Sequence, residues 1–331
     1  MTLNGGARSV IVHAMTARTK VILDCDTGTD DAVAIMLAAL HPGVDLLAVT
    51  TVWGNAEVSV TTDNTLRVLD HVGQFEVPVF RGLDRPLTPR PAGVVLPPTE
   101  PDDRSRQLPL PPARRGVRDQ PAVEWLVETL RTTTERLTLV PTGPLTNLAA
   151  ALTLDPGLVD AVAEVVVLGG AHAVGNVTAS ADRNLWNDPA AAAVVLQAGF
   201  ERLVLVTLDA TFGAALTSDH ARSLHDLGTP AARAAATFLD ERIRDYAALP
   251  TMRVRAAAPV HDPMTIAYLV DASILTLRHV HVAVETTGRL TYGRSVIDLE
   301  GVGGGAPNAY VALQADGPRF AELLSSTFAA S

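Results

Sequence analysis

Short, continuous apolar runs alternate with alanine- and leucine-rich stretches of helical length along almost the whole chain, and that rhythm leaves few folds open. Strand candidates fall at 21–23, 46–51, 77–80, 137–140, 165–168, 203–207, 279–284 and 295–299. Most are apolar at successive positions, as expected of strands covered on both faces of a parallel sheet. Helix candidates lie between them at 31–40, 61–72, 122–133, 145–154, 189–198, 230–249 and 264–269. Such alternation builds βαβ units. The expected fold is α/β: a single-domain, doubly wound, mostly parallel sheet with helices on both faces. Ligands of these sheets bind beyond the carboxyl ends of the strands, so a polar motif gains meaning when it follows a strand.

The 331 residues suffice for one large domain with a sizeable core. Only residues 81–118 break the rhythm; they hold nine of the 22 prolines and no period, as in a binding loop, a lid or a disordered segment. Residues 1–19 read as a disordered leader, with Met15 as an alternative start, and residues 20–331 as the folded unit. A formal charge of −10, from 26 basic and 36 acidic side chains, argues against nucleic acid or an anionic membrane as partner. With one cysteine, Cys25, no intrachain disulfide can form, which fits a cytoplasmic protein. No apolar run approaches the roughly 20 residues of a membrane helix.

Asp24, Asp26, Asp30 and Asp31 crowd into eight residues, after an apolar strand, around a turn at Gly28 and at the start of a helix. Helix amides offset only part of the repulsion among such charges. A hard cation offsets more, because calcium and magnesium prefer carboxylate oxygens. An acidic helix cap explains Asp30 or Asp31 but not all four, so a metal or polyol site is the better account. Further polar clusters follow later strands: Trp53-Gly54-Asn55, Pro141 to Asn147, and Gly169-Gly170 with Gly175-Asn176, Asp182-Arg183-Asn184 and Asp188-Pro189. His261-Asp262-Pro263 opens a late helix. Each is weak alone, since Gly-Asn is commonly a turn and Asp-Pro a helix start. Together they bring carboxylates, amides and an imidazole to one sheet edge.

From Lys20 to the C-terminus the chain resembles the inosine-uridine-preferring nucleoside hydrolases. The likeness is carried by Asp24-Cys25-Asp26-Thr27-Gly28-Thr29-Asp30-Asp31, Gly54-Asn55, Thr142-Gly143-Pro144-Leu145-Thr146-Asn147, Gly175-Asn176 to Asn184, His261-Asp262-Pro263 and Arg289 to Arg294. This resemblance implies a tightly held Ca2+, cleavage of the N-glycosidic bond of ribonucleosides, and a homodimer or homotetramer. Carried over by position, it makes Asp26 a calcium contact and the general base toward water. Asp31, Asp262 and the Thr142 carbonyl become calcium ligands, with Asp262 also on a ribose hydroxyl. Asp30 and Asn184 hold the 2′- and 3′-hydroxyls, Asn55 orients the water, and Asn176 and Asp182 reach the 5′ end. His261 stands where some members place an acid for the departing base; His172 is a minor candidate. These residue types suit an oxocarbenium-like reaction, in which anionic and amide groups stabilise positive charge on the sugar.

The chain departs from the family pattern in three places. Asp182 replaces a usual glutamate and is one C–C bond, ~1.5 Å, shorter. Arg183 stands where an aromatic is common. The proline-rich loop reads Thr99 to Arg106 where many members carry His-Gly…Gly-Leu. Base and 5′-group recognition are therefore expected to differ, toward ribosyl compounds with an altered 5′ or leaving group. Two alternatives compete. One is a magnesium-dependent phosphatase of the haloacid-dehalogenase type, which leaves Gly28 and the Asp30-Asp31 pair unexplained. The other is a non-catalytic nucleoside- or ribose-binding protein, which leaves Asp26 and His261 unexplained.

Overall fold

The computed structural model describes residues 18–94, 107–248 and 256–331. Its strands are β1 (Thr19–Cys25), β2 (Val44–Thr51), β3 (Val79–Arg81), β4 (Leu137–Pro141), β5 (Val162–Leu168), β6 (Leu203–Val206), β7 (Leu216–Thr217), β8 (Ala257–Ala258), β9 (Leu275–Val284), β10 (Ser295–Asp298) and β11 (Ala309–Ala315). Its helices are α1 (Thr29–Leu40), α2 (Val58–His71), α3 (Ala122–Thr132), α4 (Thr146–Leu154), α5 (Arg183–Asn187), α6 (Pro189–Gln197), α7 (Leu208–Gly213), α8 (Ser218–Leu227), α9 (Pro230–Ala248), α10 (Pro263–Val270) and α11 (Gly317–Ala329). One nine-stranded sheet runs β10-β9-β11-β6-β5-β4-β1-β2-β3. From β11 to β3 every neighbouring pair is parallel, while β9 and β10 are added antiparallel at one edge.

The period of two along β1 divides the core between two layers. Val21, Leu23 and Cys25 enter one apolar cluster with α1, α2, α8, α9, α10 and α11. Ile22 enters another on the opposite face with α3, α4 and α6. Helix α1 is buried from Asp30 to Ala38, as an interior helix that is apolar on all sides should be. It starts where it does because Asp31 Oδ2 accepts the Gly28 N–H at 2.9 Å, which satisfies an otherwise orphan donor and puts two carboxylates at the positive end of the helix.

The expected strands all form, with shifted ends, but β11 was not expected. It lies inside the sheet, parallel to β6 and antiparallel to β9. Its Ala309 and Ala312 are buried strand positions held by a helix-favouring residue type. Helices α5, α7, α8 and α11 also went unread, although Asp316 accepting the Arg319 N–H at 3.0 Å caps α11 in an ordinary way.

Of the proline-rich loop, residues 95–106 lie outside the described part, including the Thr99 to Arg106 departure. The flanking stretches are tied down: Leu87 N–H donates to Asp188 Oδ2 at 2.9 Å and Leu108 N–H to Asn64 Oδ1 at 2.9 Å, and Arg118 bridges to Phe80. Residues 1–17 of the expected leader are likewise outside the described part, whereas Thr19 already opens β1.

Candidate active site

Strand β1 has β2 on one side and β4 on the other, and the chain winds outward from it in both directions. The crevice beyond its carboxyl end is therefore the switch point at which such sheets bind ligands. Asp26 emerges there, buried, and its Oδ2 accepts the Asn55 N–H at 2.6 Å from the turn after β2. Two glycines make room for it. A Cβ on Gly54 would run into Asp26 Oδ2, with Pro144 Cδ at 2.9 Å, and one on Gly143 would stand 3.0 Å from Asp26 Oδ1. Gly54→Ala is thus expected to cost about 1–3 kcal/mol by overpacking and to lower turnover further by displacing the carboxylate. Thermal unfolding beside steady-state kinetics checks this; wild-type turnover in the variant would mean that Asp26 has room to move.

Asp30, Asp31 and Asp262 come together within 4.8 Å of one another, all buried. Asp31 is the most heavily partnered: Oδ2 also accepts Asn55 Nδ2 at 3.2 Å, and Oδ1 accepts the Thr142 hydroxyl at 2.9 Å. Burial, and then the neighbouring carboxylates, push Asp26 and Asp262 well above the usual carboxylate range and Asp31 up to about 6. Packed this closely and desolvated, these carboxylates repel one another when ionised, and a bound cation would offset that repulsion. Their donors are all hard oxygens, which fits a hard divalent cation such as calcium or magnesium. Asp24 is separate. Its Oδ1 accepts Thr50 Oγ1 at 2.6 Å and Asn147 Nδ2 at 2.8 Å, so it ties β1 to β2 and α4.

Asn184, in the first turn of α5, reaches the same place. Its Nδ2 donates to the Thr142 carbonyl at 2.6 Å and to the Leu168 carbonyl at 3.1 Å. Asp182 caps α5, with Oδ2 accepting Asn184 N–H at 2.9 Å and Leu185 N–H at 3.3 Å, and its Oδ1 accepts Gly170 N–H at 2.8 Å. Both carboxylate oxygens are engaged by backbone amides, and burial pushes the group up to about 6. Asn176 Oδ1 accepts the Arg183 N–H at 2.9 Å, which fixes the start of α5. His172 is exposed, and its N–H is held by Asp209 at 2.7 Å.

Across the acidic group stands a second set of side chains. Arg242, on α9, has Nη1 at 3.0 Å from Asp30 Oδ1, and its Nε donates to the Pro259 carbonyl at 2.9 Å. One turn on, the Tyr246 hydroxyl lies 2.9 Å from His261 Nε2, while Thr211 Oγ1 lies 2.7 Å from His261 Nδ1. The imidazole also meets the Phe212 ring edge-on, with centroids 5.5 Å apart. Burial, and then the Arg242 charge, pull His261 down to about 3. Both ring nitrogens thus face hydroxyl partners.

The family model for inosine-uridine preferring nucleoside hydrolase matches residues 21–322. The chain belongs to this family. It is 37% identical to the inosine-uridine preferring nucleoside hydrolase of Crithidia fasciculata over 85% of this chain and 88% of that protein. It is 34% identical to a pyrimidine-specific ribonucleoside hydrolase of Escherichia coli O157:H7 over 92% of this chain and 95% of the relative. The purine-preferring ribonucleoside hydrolase from Gardnerella vaginalis superposes with a TM-score of 0.82 at 30% identity, covering 94% of this chain and 98% of that one. The enzyme is thus a ribonucleoside N-glycosyl hydrolase on the family's single-domain α/β fold, which sets aside the phosphatase and the non-catalytic binder.

In this nucleoside hydrolase Asp26, Asp30, Asp31, Asn55, Thr142, Asn184, His261 and Asp262 converge, while Asn176, Asp182 and Arg183 shape the start of α5 beside them. Arg242, Tyr246 and Thr211 were missed. The four-residue spacing of Arg242 and Tyr246 puts both on one face of a helix, but nothing local says that this face turns toward the carboxyl ends of the strands.

Proposed function

We propose that this enzyme hydrolyses the N-glycosidic bond of ribonucleosides, or of a related ribosyl compound, to free base and ribose in a calcium-dependent reaction. The observation that carries this is the buried meeting of Asp26 with the Asp30, Asp31 and Asp262 group at the switch point. Asp31, Asp262 and the Thr142 carbonyl hold the ion, with Asp26 in contact. Calcium, when bound, supplies the positive charge that lets these carboxylates ionise together and polarises water and sugar hydroxyls. Asp26 takes the proton of the attacking water, which Asn55 orients. Asp30 and Asn184 hold the 2′- and 3′-hydroxyls, Asp262 adds a contact to the ribose, and Asn176 and Asp182 bound the 5′ end. His261 is the acid for the departing base, with the Tyr246 hydroxyl on its Nε2 to pass the proton on.

The test is incubation of the enzyme, calcium retained, with a panel of purine and pyrimidine ribonucleosides, following release of base and ribose. Release from one or more of them is expected; none from any overturns the proposal. Residues 20–331 are the catalytic unit in this reading, acting in the cytoplasm as a homodimer or homotetramer. The single buried cysteine supports the reducing compartment, and no helix of the described residues is long and apolar enough to cross a membrane.

Arg183 is the specificity determinant at the 5′ side. Its charge bears on Tyr246 and on Asp182, and its planar fork suits an anion or a stacked ring. Ribosides with an altered 5′ or leaving group are expected to exceed inosine and uridine in kcat/KM, and Arg183→Phe to narrow that gap. Inosine or uridine turned over best, with no effect of Arg183→Phe, would sink this assignment.

A further inference from the structure

We propose that Asn64, on α2, is a positioning residue for the ion-holding carboxylate of Asp31, and that it ties this carboxylate to the stretch that follows the proline-rich loop. This rests on the reading above in which Asp31 is an ion ligand. Asn64 is buried, at 1% exposure. Its Nδ2 donates to the Thr27 carbonyl at 3.0 Å. On the other side of the same peptide plane, the Gly28 N–H donates to Asp31 Oδ2 at 2.9 Å. The Asn64 amide therefore decides which way the Thr27–Gly28 peptide faces, and that peptide faces the carboxylate. Turned over, it would set a carbonyl against the Asp31 oxygen in place of a donor. Gly28 leaves that alternative open. Its φ is −103°, and a flip would carry it into the left-handed region, which glycine enters at little cost. The hold on the peptide must come from outside it, and Asn64 supplies one.

At its other end Asn64 Oδ1 accepts the Leu108 N–H at 2.9 Å. Donors and acceptors thus run in one direction, from Leu108 through Asn64 and the Thr27–Gly28 peptide to Asp31. Each amide in such a chain polarises the next, and a chain that ends on a carboxylate gains from its charge. Partners of this kind behind a metal ligand fix its orientation and are worth about 10- to 100-fold in metal affinity. The same stretch is docked on α2 by other side chains. Arg67 Nη1 donates to the Leu110 carbonyl at 2.9 Å, and Asp70 accepts the Arg114 N–H at 2.6 Å and Arg115 Nε at 3.0 Å. Asp70 holds this stretch to this helix outside the chain of amides that reaches Asp31, so it separates docking from positioning.

The experiment is calorimetric titration of chelated enzyme with calcium, for wild type, Asn64→Ala and Asp70→Asn, with thermal midpoints measured in chelator and in calcium. Asn64→Ala is expected to weaken calcium binding by about 10- to 100-fold and to shrink the rise in midpoint that calcium brings. Asp70→Asn should lower the midpoint and leave calcium affinity at the wild-type value. Unchanged affinity in Asn64→Ala overturns the proposal and leaves Asn64 a packing residue. Equal weakening in both variants also overturns it, because docking of the stretch would then be the cause. Wild type that binds no calcium defeats instead the ion reading on which the proposal rests. If Asn64→Ala does not fold, amide exchange in wild type, read by NMR, decides. Coupling between two sites is reciprocal, so calcium must slow exchange of the Leu108 N–H more than that of the Arg114 N–H. Slowing no greater at Leu108 than at Arg114 overturns the proposal.

Discussion

Asp26→Asn is expected to lower kcat by about 100- to 10,000-fold, the usual worth of a positioned general base, while KM, the thermal midpoint and the calcium content stay close to wild type. The asparagine keeps the shape of the side chain and one oxygen, which can still accept the Asn55 N–H that meets Asp26 Oδ2 at 2.6 Å. It cannot take a proton from water. Because Asp26 is wedged between Gly54 and Gly143, a substitution of equal size is the informative one; a larger residue would report overpacking instead. The measurement is single-turnover release of ribose at saturating substrate, beside a melting curve. Near-normal turnover in Asp26→Asn would move the base to another carboxylate, with Asp30 the next to test.

The sheet was legible because each βαβ unit writes its own pattern: apolar runs for the strands, and polar clusters after them for the site. Asp26, Asn55 and Thr142 could be found because each follows its strand within a few residues, so local sequence already fixes their end of the sheet. Legibility failed where tertiary placement decides. Strand β11 is alanine-rich and is a strand because β6 and β9 present edges to it. Asp24 shares a run with Asp26, yet it still lies within β1, where Asn147 and Thr50 receive it, whereas Asp26 stands beyond the strand's end. Arg242 lies in an amphipathic helix where arginines are ordinary surface residues. Only the packing of α9 against α1 and β8, which Arg242 itself links through Thr29 at 3.4 Å and Pro259 at 2.9 Å, makes it part of the site. His261 was read as an acid from the family resemblance at its position in the His261-Asp262-Pro263 motif. What that position could not reveal is that Thr211, 50 residues away in sequence, occupies its second nitrogen.

Removal of the divalent ion is expected to abolish turnover, by more than about 100-fold given the transition-state charge such an ion supports, and to lower the thermal midpoint. Without a cation, burial and then the neighbouring carboxylates hold Asp26 and Asp262 well above their usual range, and burial and then Asp30 hold Asp31 above its own, so a metal would compete with protons for these oxygens. Loading should then stabilise the fold by mass action, about 4 kcal/mol when free calcium stands 1,000-fold above its Kd. Calcium should restore activity better than magnesium, which demands tighter octahedral geometry and sheds its water reluctantly. Asp262→Ala separates this role from that of Asp26: it should raise both the calcium needed for half-maximal rate and the KM for riboside, because one carboxylate serves both. Titrating chelated enzyme with each ion, with elemental analysis of the starting protein, makes the comparison. Full activity in protein shown to be free of divalent metal would require the acidic group to act on the sugar unaided, and would leave its crowding without a chemical reason.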